Sequence, residues 1–300
     1  MIIKQKLTPN LWFKRNAKEA VEFYVSVFPK SEIIYTSYYP AEGLLDFQKE
    51  FAGKELVIYF ELWGYVFTAI NAGDEFSPTP ANSFMVNFNP SREVNASEML
   101  KAMWIKLSDG GTVRMPLQKY DFSELYGWIE DKYGYNWQLI LTNPNGEPRP
   151  AIIPAFLFTG DKPQTENAIY FYQKVFKNAK LGRIFHYDAS QMPGMQNMVM
   201  FSDFMLENQW FVAMDGGNMH NFSFTEAVSY NIVCKDQEEI DYYWNALTSE
   251  GGKESVCGWC KDKFGISWQI NPENIGELLH KPGTWEKLLQ MKKIIINELK

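Results

Sequence analysis

The sequence predicts an α+β protein built as a tandem duplication, in which each half contains two β-α-β-β-β units. Segments before and after a central Pro-rich stretch match: FTAINAG at 67–73 corresponds to FVAMDGG at 211–217, and GWIEDKYGYNWQLI at 127–140 to GWCKDKFGISWQI at 258–270. Four amphipathic helical patterns also recur at spacings of about 70 to 80 residues, which is the size of a whole supersecondary unit. Short runs rich in Val, Ile, Phe and Tyr flank each pattern and predict strands.

The four helical patterns each place apolar residues on one face, at i, i+3, i+4 and i+7 spacing. They begin near Asn16, Asn95, Thr165 and Asp236. In three of them the first residue is Asn or Asp with a Glu three residues later, a pattern typical of a capped helix start. Gly110-Gly111 and Gly251-Gly252 follow two of the helices and predict left-handed ends.

The stretch TNPNGEPRP at 142–150 contains three prolines and an Asn-Gly pair, which neither a helix nor a central strand tolerates. It predicts a first domain over 1–141, a linker over 142–151 and a second domain over 152–275. Residues 276–300 are predicted to contain a C-terminal amphipathic helix. Because one unit cannot cover both faces of its own sheet, we expect the two units of each half to pair into one curved mixed sheet.

Charge and hydropathy limit the partners of the chain. A net charge of −7, with no Lys/Arg run longer than two, argues against a nucleic acid or an anionic membrane surface. The sequence contains no stretch of about 18 apolar residues, so no membrane span is predicted. The N-terminus has no long apolar run of the kind found in a signal peptide, so secretion is not expected. Three cysteines fit a reducing compartment, so a cytoplasmic location is expected. The expected partner is a small molecule, and the 22 Phe, 16 Tyr and 10 Trp residues supply rings for a core or a pocket.

The paired units resemble the vicinal-oxygen-chelate superfamily of glyoxalases, ring-cleaving dioxygenases and bleomycin-resistance proteins, and within it the PhnB-like subgroup. The matching segments are NAKEAVEFYVSVFPKSEI (16–33), AMDGG (213–217), FSFTEAVSY (222–230), DQEEIDYYWNAL (236–247), CGWCKDKFGISWQI (257–270) and LLQMKKIIINELK (288–300). The resemblance implies two glyoxalase-like domains. Because single-domain relatives form dimers, it also implies either a monomer that is an internal pseudo-dimer or a homodimer.

Proteins of this type have carried the label 3-demethylubiquinone methyltransferase. No Gly-rich loop between a strand and a helix is present to hold a nucleoside cofactor, so the sequence predicts no cofactor.

Metal-dependent members of the superfamily are expected to collect His and Glu from the first and last strands of their units. The corresponding first-strand positions here are Pro9 or Asn10, Ser83, Pro154 or Ala155, and Ser229. The last-strand positions are Asn71 or Asp215, Gln138 and Gln269. With none of these a His and only Asp215 charged, the sequence predicts no metal site.

The Cys257-Gly-Trp-Cys260 motif invites a redox or zinc interpretation. It lies in a pattern that predicts a strand, on which residues i and i+3 point to opposite faces, so the two sulfurs would diverge. The other half has Tyr126 and Ile129 at these places. Packing is therefore the favoured role of both cysteines.

The remaining candidates for a ligand pocket are ring-bearing and polar side chains on strands that would line a concave sheet. They are Trp12, Glu61, Ser83, Trp128, Gln138, His186, Ser229, Trp259 and Gln269. An equally weighted alternative is that they are core residues with satisfied hydrogen bonds, and His186 is favoured as an ordinary strand histidine. If one pocket alone functions, residues 152–275 are expected to form it.

Three functions remain open. The first is metal-independent binding of a small apolar or aromatic molecule, as in the bleomycin-resistance branch. The second is a divalent-metal lyase, isomerase or dioxygenase of the glyoxalase type. The third is a metal-free acid-base enzyme that uses His186 or Glu61.

Overall fold

The computed structural model describes residues 5–300 except 189, 191 and 282. It contains four units, each consisting of a strand, a helix and three further strands. Unit 1 consists of β1 (Leu7–Lys14), α1 (Ala17–Val27), β2 (Glu32–Tyr38), β3 (Glu55–Leu62) and β4 (Tyr65–Ala72). Unit 2 consists of β5 (Asn82–Phe88), α2 (Ala96–Ser108), β6 (Thr112–Tyr120), β7 (Ser123–Glu130) and β8 (Asn136–Leu141).

The second half of the chain repeats this order. Unit 3 consists of β9 (Ile152–Thr159), α3 (Thr165–Val175), β10 (Lys180–His186), β11 (Val199–Leu206) and β12 (Gln209–Gly217). Unit 4 consists of β13 (Val228–Cys234), α4 (Gln237–Thr248), β14 (Lys253–Glu254), β15 (Trp259–Lys261) and β16 (Ser267–Pro272). The predicted helix of each of the four units is present, and the α+β fold class is confirmed.

The strands form two eight-stranded mixed sheets. The first sheet joins units 1 and 4 in the order β14-β15-β16-β13-β1-β4-β3-β2, and the second joins units 2 and 3 in the order β10-β11-β12-β9-β5-β8-β7-β6. The units meet through antiparallel central strands, with Asn10 opposite Ser229 in the first sheet and Ser83 opposite Ala155 in the second. The expected pairing of consecutive units within one sheet therefore needs correction: each sheet takes one unit from each half. The domain limits at 141 and 152 stay a prediction.

Consecutive units meet instead on the helix side of the sheets. In the N-terminal half, Phe67 of β4 packs against Phe84 of β5 with ring centroids 5.0 Å apart. In the C-terminal half, Phe156 of β9 packs against Tyr230 of β13 at 5.3 Å. One continuous cluster of buried apolar residues runs through both halves between the two sheets. Each unit thus shares a sheet with a unit of the other half and a buried core with the consecutive unit of its own half. Neither sheet is therefore formed by one half alone.

Helix starts are capped partly by their own N-cap residue and partly by a neighbouring strand. Asp236 accepts a hydrogen bond from the Glu239 N–H at 2.9 Å, as predicted, whereas the Asn16 and Asn95 side chains make no such bond. For α1, Asn71 of β4 accepts from the Ala17 N–H at 3.3 Å, and for α3, Asp215 of β12 accepts from the Thr165 N–H at 3.1 Å. Asn71 and Asp215 therefore cap the N-termini of helices α1 and α3.

The predicted C-terminal helix is replaced by shorter elements, α5 (Ile275–Leu279), α6 (Thr284–Gln290) and a 3-10 turn (Ile296–Leu299). The backbone is extended after α6 because the carbonyls of Met291 and Lys292 accept hydrogen bonds from the N–H groups of Cys257 and Gly258, each at 2.7 Å. A continuing helix would use those carbonyls internally. Nowhere in the described part of the chain is a helix both long and apolar enough to cross a bilayer.

Candidate functional site

The second sheet carries a cavity of about 720 Å³ on the face turned away from the helices. Its floor is apolar: Met85 of β5, Ile153 of β9 and Val212 of β12 line it and, with Ala155, form a buried cluster separate from the main core. Alternation along each strand produces this floor, because the neighbouring residues Phe84, Ile152 and Phe211 face the main core. The cavity is therefore bounded by strands of both halves, and not by residues 152–275 alone as expected.

Aromatic and sulfur-containing side chains form the walls and the mouth of the cavity. Trp128 and Tyr126 stand on β7, and Phe201 stands on β11. The mouth includes Phe122 and Met219, which are 63% and 55% exposed. Exposed large apolar side chains around a concave site are typical of a binding surface for apolar molecules.

Gln138 is a polar group on the floor, and it is held from two sides. Its Nε2 donates to the Ser83 hydroxyl at 2.8 Å, and its Oε1 accepts from the Tyr126 hydroxyl at 2.7 Å. Burial raises the pKa of Tyr126, so its hydroxyl remains a donor at neutral pH. Trp128 is fixed nearby by a hydrogen bond from its Nε1 to Asn136 Oδ1 at 3.0 Å. Of the predicted candidates, Trp128 and Gln138 line the cavity, and Ser83 orients Gln138.

A charged cluster, defined here as Arg149, Arg183 and Asp203, lies at one end of the cavity. Asp203 Oδ2 accepts from Arg149 Nη2 at 2.9 Å and from Arg183 Nη2 at 2.6 Å. Its Oδ1 accepts from the Arg183 backbone N–H at 2.6 Å. Burial raises the pKa of Asp203, but the two arginines outweigh it and hold that pKa below the ordinary value.

The first sheet places the other candidates in an equivalent but different arrangement. Ser229 accepts from Gln269 Nε2 at 2.9 Å and from Asn10 Nδ2 at 3.5 Å, and Asn10 Oδ1 accepts from the Thr68 hydroxyl at 2.8 Å. All four side chains are buried. Trp12 and Trp259 meet edge to face on this sheet with centroids 6.3 Å apart. These predicted residues therefore form a closed polar network and a ring pair.

Strand register shows what differs between the two sheets. Asn10 and Thr68 are paired on the first sheet, and Ala155 and Val212 hold the same places on the second. Gln269 and Gln138 are likewise equivalent, each lying opposite a Trp of the preceding strand. The same fold position thus carries polar side chains on one sheet and an apolar floor on the other.

The last two candidates lie apart from the cavity. Glu61 is half-buried on β3 of the first sheet, with its backbone opposite Val66. His186 ends β10, is 41% exposed, and has its Nε2 3.7 Å from Glu166 Oε1 on α3. A different histidine, His220, lines the cavity, and burial lowers its pKa. Neither His186 nor Glu61, the two acid-base candidates suggested by the sequence, lines this cavity.

The cysteine motif is not on one strand. Cys257 and Gly258 have φ values of +57° and +80°, and β15 begins only at Trp259. This conformation directs their N–H groups to the C-terminal segment. Both cysteines are free thiols, and burial raises the pKa of Cys257 to about 11. The strand interpretation is corrected, and the packing role remains.

The residues at the cavity do not fit a divalent metal ion. Among the residues that line the cavity, the central strands β12, β9, β5 and β8 supply two neutral amide oxygens, from Asn87 and Gln138, and no carboxylate or imidazole. The lining carboxylates Asp203 and Glu147 lie elsewhere and are paired with arginines. Asp215, the one carboxylate at an implied ligand position, accepts backbone N–H bonds from Gln164, Thr165 and Val199. Over the described residues, no group of three His, Cys, Asp or Glu side chains is arranged for metal binding.

Sequence reasoning missed the charged cluster and the contribution of the linker. Five linker residues line the cavity: Thr142, Asn143, Gly146, Glu147 and Arg149. Two signals were present in the sequence: an arginine between two prolines at 148–150, and an aspartate inside the apolar strand VMFSDFML. Both are polar residues in places where packing alone would not select them.

The two paired sheets, each of two β-α-β-β-β units, have the fold that the sequence predicts, which is that of the vicinal-oxygen-chelate superfamily. Glyoxalase I from Zea mays has this fold, with a TM-score of 0.56 and 13% identity over 92% of this chain and 98% of that one. The chain belongs to the family described as 3-demethylubiquinone-9 3-methyltransferase, whose sequence profile matches residues 5–140 and 150–271. The predicted PhnB-like, tandem character is thereby confirmed.

Two bacterial structures are similar to half of the chain. A Bacillus cereus PhnB protein, described as a 3-demethylubiquinone-9 3-methyltransferase, is 36% identical over 46% of this chain and all of its own length, with a TM-score of 0.40. A protein from Staphylococcus aureus is 29% identical over 48% of this chain and all of its own, with a TM-score of 0.19. No curated protein sequence matches the chain significantly.

Proposed function

We propose that the protein binds a small, largely apolar, ring-containing molecule in the cavity of the second sheet without a metal ion. The observation that carries this proposal is the apolar floor of Met85, Ile153, Ala155 and Val212 beneath a cavity of about 720 Å³. That volume lies in the range of ordinary small-molecule sites. An apolar floor, ring walls and a small number of oriented polar groups are the composition expected of a site that relies on hydrophobic contact for affinity and on few polar contacts for orientation.

The donor set supports a metal-independent site. A hard cation needs several carboxylate oxygens and a transition metal needs imidazole or thiolate ligands, whereas the strands beneath the cavity offer the amide oxygens of Asn87 and Gln138. The two carboxylates that line the cavity, Asp203 and Glu147, are paired with arginines. The glyoxalase-type metal enzyme is therefore the less supported alternative. Metal analysis of protein purified without chelator tests it: a full equivalent of bound metal would contradict the proposal.

Methyl transfer is also less well supported. In the described units, the connections from strand to helix at 15–16, 89–95, 160–164 and 235–236 contain one glycine, Gly160. A nucleoside cofactor is usually held by a Gly-rich turn at such a helix start.

The proposal also includes a cytoplasmic location, which the three free cysteines support. It further includes an internal pseudo-dimer that is monomeric in solution, which the pairing of the two halves within each sheet supports.

The proposal is tested with the uncharged dye N-phenyl-1-naphthylamine, whose fluorescence rises in an apolar site. We expect saturable binding and an increase in the unfolding temperature with dye concentration. Met214→Trp on β12 should place a bulky ring inside the cavity, obstruct the ligand and weaken binding at least about tenfold, since Met214 lines it. Ile70→Trp is the matched control, because Ile70 holds the same register position on the first sheet. Equal dye binding by wild type and Met214→Trp would refute the proposed site.

A further inference from the structure

We infer that the charged cluster of Arg149, Arg183 and Asp203 is an anion subsite of the cavity, so that the ligand carries one acidic group on its apolar body. This inference rests on the proposed function and names its ligand class. The cluster borders the same cavity as Val212 and Met214, so one molecule can contact both regions. Organic carboxylates and sulfonates with a ring system have this combination of groups.

The charges of the cluster do not balance inside the protein. Two guanidinium groups contact a single buried carboxylate, whose side chain is 2% exposed. Glu147 Oε2 lies 2.9 Å from Arg149 Nη1, but Glu147 is 69% exposed, and such a pair is weak and screened by salt. Arg149, Arg183 and Asp203 together carry a net charge of +1, which the exposed Glu147 offsets only weakly and which an anionic ligand group would neutralise.

Arg149 is held rigidly. It lies between Pro148 and Pro150, its side chain is 9% exposed, and its guanidinium lies 3.8 Å from the Trp210 ring centroid. Arg183 is the more accessible partner, with a half-exposed side chain. Its Nε and Nη2 donate to Asp203, and among the described residues its Nη1 donates to no protein group. A guanidinium has five donors in a planar fork, so Arg183 retains N–H groups for an oxyanion.

A purely structural role explains only part of the cluster. Asp203 Oδ1 satisfies the Arg183 N–H at an irregularity between β10 and β11, which accounts for one carboxylate. The equivalent place on the first sheet is Tyr59, which lies opposite Thr68 as Asp203 lies opposite Val212. Tyr59 packs against Tyr35 with ring centroids 6.2 Å apart. The first sheet forms this region with two tyrosines, so the position in the fold does not by itself require two arginines on one carboxylate.

The test compares two dyes that share one skeleton. One is N-phenyl-1-naphthylamine, and the other is 8-anilino-1-naphthalenesulfonate, which adds a sulfonate. In Arg183→Gln we expect the dissociation constant of the sulfonate dye to rise roughly tenfold, because a charge-assisted hydrogen bond is lost. The neutral dye should change less than about twofold. Arg183→Lys keeps the charge without the fork and should fall between wild type and Arg183→Gln.

Arg15→Gln is the control, because Arg15 is likewise paired with carboxylates, Glu50 and Asp74, but directly follows β1 of the first sheet and does not line the cavity. It should leave both dyes unaffected. Thermal unfolding verifies that each variant is folded. If both dyes bind and Arg183→Gln weakens neither, or weakens both equally, the anion subsite is refuted and the apolar site stands. If wild type binds neither dye, the proposed function fails and this inference fails with it.

Discussion

The hydroxyl of Tyr24 on α1 donates a hydrogen bond to Asp131 Oδ2 at 2.7 Å, which ties unit 1 to the turn between β7 and β8 of unit 2. The same bond recurs in the other half, where the Tyr172 hydroxyl donates to Asp262 Oδ2 at 2.7 Å. Both carboxylates are buried and also accept from an indole, Trp137 and Trp268 respectively. The duplication has thus kept a buried polar joint between consecutive units.

Replacing Asp131 by Asn should lower the free energy of unfolding by about 1–3 kcal/mol. Each carboxylate oxygen accepts two hydrogen bonds, and the backbone donors are Tyr133 and Tyr135. An Asn amide would place its NH₂ against two of these donors and leave them unsatisfied. Urea unfolding followed by tryptophan fluorescence measures the loss. Asp46→Asn is the control, because that side chain is 95% exposed; equal stability of the two variants would contradict the role of the joint.

The stabilising effect of Asp203 should depend on pH. Although burial raises its pKa, Arg183 and Arg149 hold that pKa below the ordinary value. A carboxyl with a lowered folded-state pKa stabilises the fold fully above its unfolded pKa of about 3.9 and loses this effect as pH falls through the folded pKa. Asp203→Asn should therefore be clearly less stable than wild type at pH 7, with the difference shrinking below about pH 4. Urea unfolding across this range measures it, and a difference that does not vary with pH would contradict the expectation.

Gly258→Ala should destabilise the attachment of the C-terminal segment. Gly258 has φ +80°, and an added Cβ would lie 2.9 Å from the Ile270 carbonyl oxygen and 3.0 Å from Ile294 Cδ1. Gly53→Ala is the matched control, with φ +71° and open space around the added atom. In the control, backbone strain alone should lower the free energy of unfolding by about 1 kcal/mol, and in Gly258→Ala the free energy of unfolding should fall distinctly more. Thermal unfolding decides, and equal losses would show that the tail tolerates a displaced backbone here.

The three cysteines should react slowly with a thiol reagent. Burial raises the pKa of Cys234 to about 12 and that of Cys257 to about 11, so little thiolate exists at pH 8. Absorbance titration with 5,5′-dithiobis(2-nitrobenzoate) should detect well under one thiol within minutes in the folded protein, and three after unfolding in urea. Rapid labelling of Cys257 or Cys260 in the native state would contradict this expectation and would support a redox role for the motif.

The repeat, the helices and the superfamily were predictable because they depend on local periodicity and on segments that recur within one chain. Which two units share a sheet was not predictable, because the first strand of unit 1, β1, could pair equally well with the first strand of unit 2 or with that of unit 4. Gln138 and Trp128 could be placed at the site by alternation along their strands. Arg149 and Asp203 could not be paired, since their contact joins residues that are 54 positions apart through a linker that has no regular secondary structure.

The exchange of units between the two sheets affects how the protein can evolve. In a homodimer of half-length chains, every mutation appears in both composite surfaces at once, so the two must change together. Here each outer face is encoded by its own pair of segments, and a substitution such as Asn10 against Ala155 alters one face only. Covalent fusion has therefore released the two faces from enforced symmetry, which allows one to specialise in recognition while the other is kept for the integrity of the fold.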